Sequence, residues 1–284
     1  MRKWRVRVIG IIINNLPNII LSVFKKVLPL HVRAKIAVDM PPIISINTKH
    51  GKLKMYCAGG GSLKRAKRFF TSEPETLDWI DSFQSNSVFW DIGANVGQYT
   101  IYAGRRGDVN VLAFEPGSAN YMVLNRNIHL MNYEEKITAY CLAFYKQSML
   151  TSLNMKNINP GMSEHSVDTP VNWHGETFQT LLKQGALTFP IDEFIEKFAP
   201  PFPVYMKIDV DGHEESILEG AENTLGDQRL RSLLVELDAG RPIFCERIID
   251  QLAEKGLILH NRRAIESTPI EHRKCSNHIF SRLS

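Results

Sequence analysis

Strands that alternate with helices along most of the chain predict an α/β fold: a doubly wound, mostly parallel sheet of seven strands, preceded by a helical amino-terminal extension. Three stretches carry that prediction. Ser87–Ile92 is a short apolar run with an acid near its end, and Gly93 and Gly97 then lead into a helix-compatible segment, giving strand, tight turn and helix. Val109–Phe114 is a second run, closed by Glu115 and Pro116. Residues 204–208 are a third, closed by Asp209 and by a turn at Asp211 and Gly212.

In chain order, residues 1–40 form an extension and residues 41–284 the main domain, with Pro41 and Pro42 at the boundary. Arg2, Lys3, Arg5 and Arg7 precede an apolar stretch over residues 8–24, flanked beyond by Lys25 and Lys26. Asn14, Asn15, Pro17 and Asn18 interrupt it, so an interfacial amphipathic segment with peripheral membrane contact through residues 1–30 fits better than a spanning helix. Residues 43–47 and 53–57 read as a hairpin around Gly51. A helix over residues 73–83 opens on Ser72 with Glu75 as the reciprocal cap, and it delivers the chain to the strand that carries Asp91.

After the Glu115 strand, Tyr121, Leu124, Ile128 and Met131 recur at helical spacing and mark a core face. Residues 137–144 read as the next strand, where the backbone near Leu142 and Ala143 is placed to meet a base edge. Residues 145–185 show poor periodicity and read as an irregular insertion, a lid or a substrate loop; His165 and His174 within it are given no chemistry. Residues 187–191 are strand-like and a short helix follows. Ile217, Leu218, Ala221 and Leu225 give the helix after Asp209 its core face, and Glu214 and Glu215 suit its positive end. Residues 229–237 form the fifth strand, residues 243–255 a helix, and residues 257–260 and 278–283 a closing antiparallel hairpin.

The chain has 284 residues, a net charge of +4 and an ordinary balance of charged and apolar residues, so one sizeable folded domain is expected. Cys57, Cys141, Cys245 and Cys275 have neither a CxxC pair nor zinc spacing, which points to a reducing, cytoplasmic setting. Lys64, Arg65, Lys67 and Arg68 form a basic cluster that reads as solvated surface, and no nucleic-acid platform of basic and aromatic residues is evident. A nicotinamide oxidoreductase would need G-x-G-x-x-G after the first strand, and Gly93-Ala94-Asn95-Val96-Gly97 does not supply it.

An acid before the glycine turn repels a pyrophosphate and suits a cationic or hydroxyl-bearing ligand. Glu115, on the next strand, stands at the interval where a carboxylate meets both ribose hydroxyls. In a doubly wound sheet the Asp209 strand lies beside the Asp91 strand, so Asp91, Asp209, Lys207 and His213 converge on one cleft. Such crowding requires a cation or a reacting proton among the carboxylates.

Phe89-Trp90-Asp91-Ile92-Gly93-Ala94-Asn95-Val96-Gly97, Phe114-Glu115-Pro116, Asn125-x-Asn127 and Lys207-Ile208-Asp209-Val210-Asp211-Gly212-His213-Glu214 together resemble the FkbM family of S-adenosylmethionine-dependent methyltransferases. The resemblance covers the chain from about Ser72 to the last strand. Asp211 departs from the glutamate more usual at its position and keeps the carboxylate on a shorter arm.

What the resemblance implies is a seven-stranded, Rossmann-like class I methyltransferase fold and O-methylation of a hydroxyl on a saccharide, polyketide or similar small molecule. S-Adenosylmethionine is the implied cofactor. Asp91, Gly93, Asn95, Gly97, Glu115 and Ala143 are the implied cofactor-binding residues. The candidate bases are Asp209 and His213, with Lys207 paired to an acid of the site. A magnesium ion on Asp209, Asp211 and Glu236 is a less favoured alternative. The non-enzymatic alternative is a cofactor-binding module tethered through the amino-terminal segment.

Overall fold

The structure is a computed structural model, and it describes residues 20, 22–23, 26–40, 42–163, 165–171, 175–238, 240–261 and 276–283. Contacts divide the chain into two compact units, residues 1–42 and 43–284. In the first unit a helix spans Leu30–Asp39. The amphipathic stretch of residues 8–24, apart from Ile20, Ser22 and Val23, lies outside the described residues, as do Pro41, Trp173, His174 and Cys275. Among the described residues, no helix is long and apolar enough to cross a membrane.

In the second unit the hairpin β1 (Ile43–Thr48) and β2 (Gly51–Tyr56) precedes helices Gly60–Lys67 and Pro74–Asp81. The latter begins one residue later than its sequence suggests. Glu73, not Ser72, sits at its N-cap, because Pro74 fits the first helical position without needing an N–H donor. The main sheet is built from β3 (Ser87–Ile92), β4 (Val109–Phe114), β5 (Ile137–Tyr140), β10 (Tyr205–Ile208), β11 (Ser232–Leu237), β12 (Ile258–Asn261) and β13 (Ser276–Ser281). Its order is β12-β13-β11-β10-β3-β4-β5. The pairs from β11 to β5 are parallel, and β13 enters antiparallel between β11 and β12, as the closing hairpin requires.

Strand alternation sorts the core into two faces. Phe89, Val111, Ala113 and Leu234 pack against the hairpin and helices Pro74–Asp81, Gln98–Arg105 and Ser118–Met131. Trp90, Ile92, Leu112, Phe114, Met206, Ile208, Leu233 and Val235 pack on the other face against helices Ile191–Phe198, Glu214–Glu219 and Pro242–Glu254. With both faces covered, the parallel strands read as nearly continuous apolar runs. An acid or a lysine inside such a run therefore stands out.

Residues 145–185 overturn the expectation of an irregular loop. β6 (Ala143–Phe144), β7 (Met149–Met155), β8 (His165–Val167) and β9 (Leu182–Phe189) form a second sheet in the order β6-β9-β7-β8. Its strands escape periodicity analysis because their faces are unevenly buried. Within β7 burial is concentrated in Leu153, Asn154 and Met155, and one of these is polar.

Candidate active site

The carboxyl ends of β3, β4 and β10, together with Glu236 of β11, border a cleft that is open to solvent. Its wall carries Glu73, Glu115, Asp209, Asp211 and Glu236 against Arg65 and Lys207, so acids outnumber bases. Leu142, Ala143 and Phe144 supply an apolar stretch of the same wall.

Glu115 is fixed from its own backbone neighbourhood. Its Oε2 accepts the Asn95 N–H at 2.9 Å and its Oε1 the Gly117 N–H at 2.8 Å, while Asn120 adds a side-chain hydrogen bond. The carboxyl is only 5% exposed. Burial pushes its pKa up to about 7, against the pull of those donors. Two sp² oxygens still have lone pairs for hydroxyl donors.

Asp91 does not line the cleft, contrary to the expectation from its place before the glycines. It pairs in register with Lys207 on β10, and both side chains fall on the face covered by helix Gln98–Arg105. One more residue, Ile92, separates it from the rim. It is 1% exposed and accepts a 2.5 Å hydrogen bond from Thr100. Burial raises its pKa, opposed by the Lys207 ammonium.

The glycines also differ from expectation. Gly93 borders the cleft with φ +83°, but a Cβ there would collide with the Asp209 carbonyl oxygen, so its bare Cα serves the approach of β3 to the β10 turn. Gly97, at φ +84°, caps helix Gln98–Arg105 and faces Leu124, away from the cleft.

Lys207 is buried at 1% exposure and its ammonium is paired with Asp209 Oδ2. Burial acts to lower the lysine pKa, yet Asp209, Glu73 and Asp91 outweigh it and hold the group charged. For Asp209 burial likewise acts upward, and the Lys207 charge, together with hydrogen bonds from Lys207 and Glu236, brings it below the ordinary carboxyl value. Glu236 shows the opposite behaviour. Burial and the negative charges of Asp209, Glu73 and Asp211 raise it well above its ordinary value. Tyr99 packs its ring 5.0 Å from the Lys207 ammonium and hydrogen-bonds Glu73, which also accepts from Thr76 and Asn277 at 3.0 Å each.

His213 lines the cleft, but its Nε2 lies 2.9 Å from the Ser166 hydroxyl and accepts the Val167 N–H at 3.2 Å. Burial lowers its pKa, so the ring is neutral and tied to β8. Asp211 and Glu236 border the cleft with Asp209, yet among the described residues no group of at least three His, Cys, Asp or Glu side chains is disposed to hold a metal ion.

The roof of the cleft is a turn at residues 159–163. Asn95 and Asn120 donate to the Met162 carbonyl at 3.0 and 3.1 Å, Asn120 also accepts the Gly161 N–H at 2.8 Å, and Arg65 donates to the Gly161 carbonyl at 2.9 Å. Asn95 thus serves the site by joining the glycine turn to the roof. Sequence reasoning missed Arg65, Glu73, Tyr99 and Asn120. Only Glu73, an acid before a helix-opening proline, leaves a readable trace.

A family description, "Methyltransferase FkbM domain", matches residues 91–257. A hexuronic acid methyltransferase, AglP, of Haloferax volcanii is 25% identical over 169 residues, which cover 57% of this chain and 60% of that protein. The precorrin-6y C5,15-methyltransferase of Geobacter metallireducens GS-15 is similar in structure at a TM-score of 0.42, with 13% identity over 75% of this chain and 87% of that chain. TrmK of M. capricolum, in complex with S-adenosyl-homocysteine, aligns at a TM-score of 0.40, with 10% identity over 72% of this chain and 67% of that chain.

Proposed function

Since the chain belongs to the methyltransferase FkbM domain family, we propose that it transfers a methyl group from S-adenosylmethionine to a hydroxyl of a saccharide. The observation that carries this reading is Glu115, a carboxyl held by backbone N–H groups at the floor of an acid-rich cleft. The donor brings a ribose, an adenine and two positive charges, and it supplies an electrophilic methyl group on sulfur. Glu115 suits the ribose hydroxyls, the stretch Leu142–Phe144 suits the base, and the excess of carboxyls suits the cation. With Asp91 buried beneath, Glu73 and Arg65 are the charged pair on the cleft wall that fits the ammonium and carboxylate of the amino-acid end.

Asp209 is the better base of the two expected. Its carboxyl is held below the ordinary value by the Lys207 ammonium, its side chain is 23% exposed, and it faces the cleft. His213 has its Nε2 committed to β8, so its role is to hold the second sheet over the site. A base that takes the hydroxyl proton as the carbon–oxygen bond forms contributes about 10²–10⁴-fold. The saccharide class draws on the 25%-identical relative, whose name gives hexuronic acid as its substrate.

The test combines calorimetry with label transfer. S-Adenosylmethionine is expected to bind, and Glu115→Ala to weaken it at least about tenfold. Methyl label is expected on an acidic or neutral saccharide from an acceptor panel. Binding of NADH in place of S-adenosylmethionine, or label on nucleic acid alone, would overturn the reading.

A further inference from the structure

Resting on the methyl-transfer reading, we propose that Asp209 and Glu236 act as one carboxyl pair carrying a single proton. Asp209 is the ionised member that receives the acceptor's hydroxyl proton. Glu236 is the protonated member that fixes Asp209 in place. Glu236 is therefore a positioning residue for the transfer.

The geometry comes from neighbouring strand ends. Ile208 of β10 pairs with Val235 of β11, so the next residues, Asp209 and Glu236, stand side by side where both strands reach the cleft. Both carboxyls border the same cleft, the charge of Asp209 opposes ionisation of Glu236, and two carboxyls sharing a site hold one proton between them more readily than two charges. Lys207 decides which member keeps the charge. Its ammonium pairs with Asp209 Oδ2 from the same strand, which leaves the proton on Glu236.

The surroundings reinforce that division. Asp209, Glu73 and Asp211 oppose ionisation of Glu236, and Lys207 alone among its main neighbours favours it. On its far side Glu236 also borders a smaller hollow with Glu214, Asp238 and Arg241, so it forms the wall between two water-accessible spaces. Lysine plus two ionised carboxylates would leave an excess negative charge in a buried place. Lysine plus one carboxylate and one acid is balanced.

The transfer balances as follows. The acceptor's O–H bond breaks and its proton goes to Asp209. The freed electron pair forms the oxygen–carbon bond. The carbon–sulfur bond of the sulfonium donor breaks with its pair left on sulfur. The proton then leaves Asp209 for solvent, which restores the singly protonated pair.

Two readouts test the pair. In infrared difference spectra of Glu236→Gln against wild type, taken above the pH of about 7 at which Glu115 and Glu214 ionise, one carboxylic-acid band is expected in wild type and absent from the variant. In methyl transfer, Glu236→Gln, which keeps a hydrogen-bond donor, is expected to stay within about threefold of wild type and to lose the alkaline limb of its pH profile. Glu236→Ala should fall about 30-fold or more. An ionised carboxylate band for Glu236, or an alanine variant with the wild-type rate and pH profile, overturns the pair. If wild type labels no acceptor, the transfer reading fails and the infrared result alone decides the pair. Should the alanine variant not fold, the near-isosteric glutamine variant carries both measurements.

Discussion

Glu115 is the residue at which burial and chemistry are most tightly linked. Its folded-state value of about 7 lies above the ordinary 4.5, so between those limits the folded protein binds more protons than the unfolded chain. Its contribution to stability therefore falls as pH rises through that window. With a ribose on Glu115 as proposed, ligand binding would run the other way, because its hydroxyls would donate to the ionised form. S-Adenosylmethionine affinity is expected to rise with pH, by up to about tenfold per unit below 7, and to level off above it. Calorimetry across pH 5.5–8.5 checks this, and Glu115→Gln should flatten the curve. A wild-type affinity that does not change with pH would contradict it. The place of Glu115 on the cleft wall was legible in the sequence because it follows directly on the end of a strand beside the glycine turn. Asp91 was misread from a similar signal: it lies inside its strand, level with Ala113 and Lys207, whereas Glu115 and Asp209 stand two register positions further on, beyond the ends of theirs.

At the level of elements, the second sheet and the turn at 159–163 convert an open strand edge into a covered cleft. The parallel strands were legible from composition, because burial on both faces favours apolar residues at nearly every position. β7, β8 and β9 were not, since they are short or unevenly buried and their register is set by contact with one another and with β6. The roof depends on side-chain amides from the glycine turn and from helix Ser118–Met131, a long-range relation that no local pattern records. Asn95 has φ +52°, so glycine removes its amide without adding backbone strain. Asn95→Gly is expected to speed amide hydrogen exchange at Gly161 and Met162 about tenfold, corresponding to loss of a bond worth about 1–1.5 kcal/mol, with little change in melting temperature. Unchanged exchange at those amides would show that the roof is held without Asn95.

At the scale of the whole molecule, the carboxyl-terminal strand is fastened by Arg282. Its guanidinium donates to the carbonyls of Leu230, Lys255, Leu225 and Asp227 at 2.6 to 2.9 Å, drawing together the loop before β11, the end of helix Pro242–Glu254 and the end of helix Glu222–Gly226. Arg282→Ala is expected to cost about 2–4 kcal/mol in denaturant unfolding, because it leaves several carbonyls without their donor. A loss within about 0.5 kcal/mol would mean that water replaces the guanidinium.

The acidic wall would have a further effect under the proposed methyl transfer. A sulfonium donor would leave as a thioether, one positive charge poorer, and so would gain less from the carboxylates of the cleft. Charge neutralisation at sulfur would then bias the cleft toward exchanging old for new after every cycle.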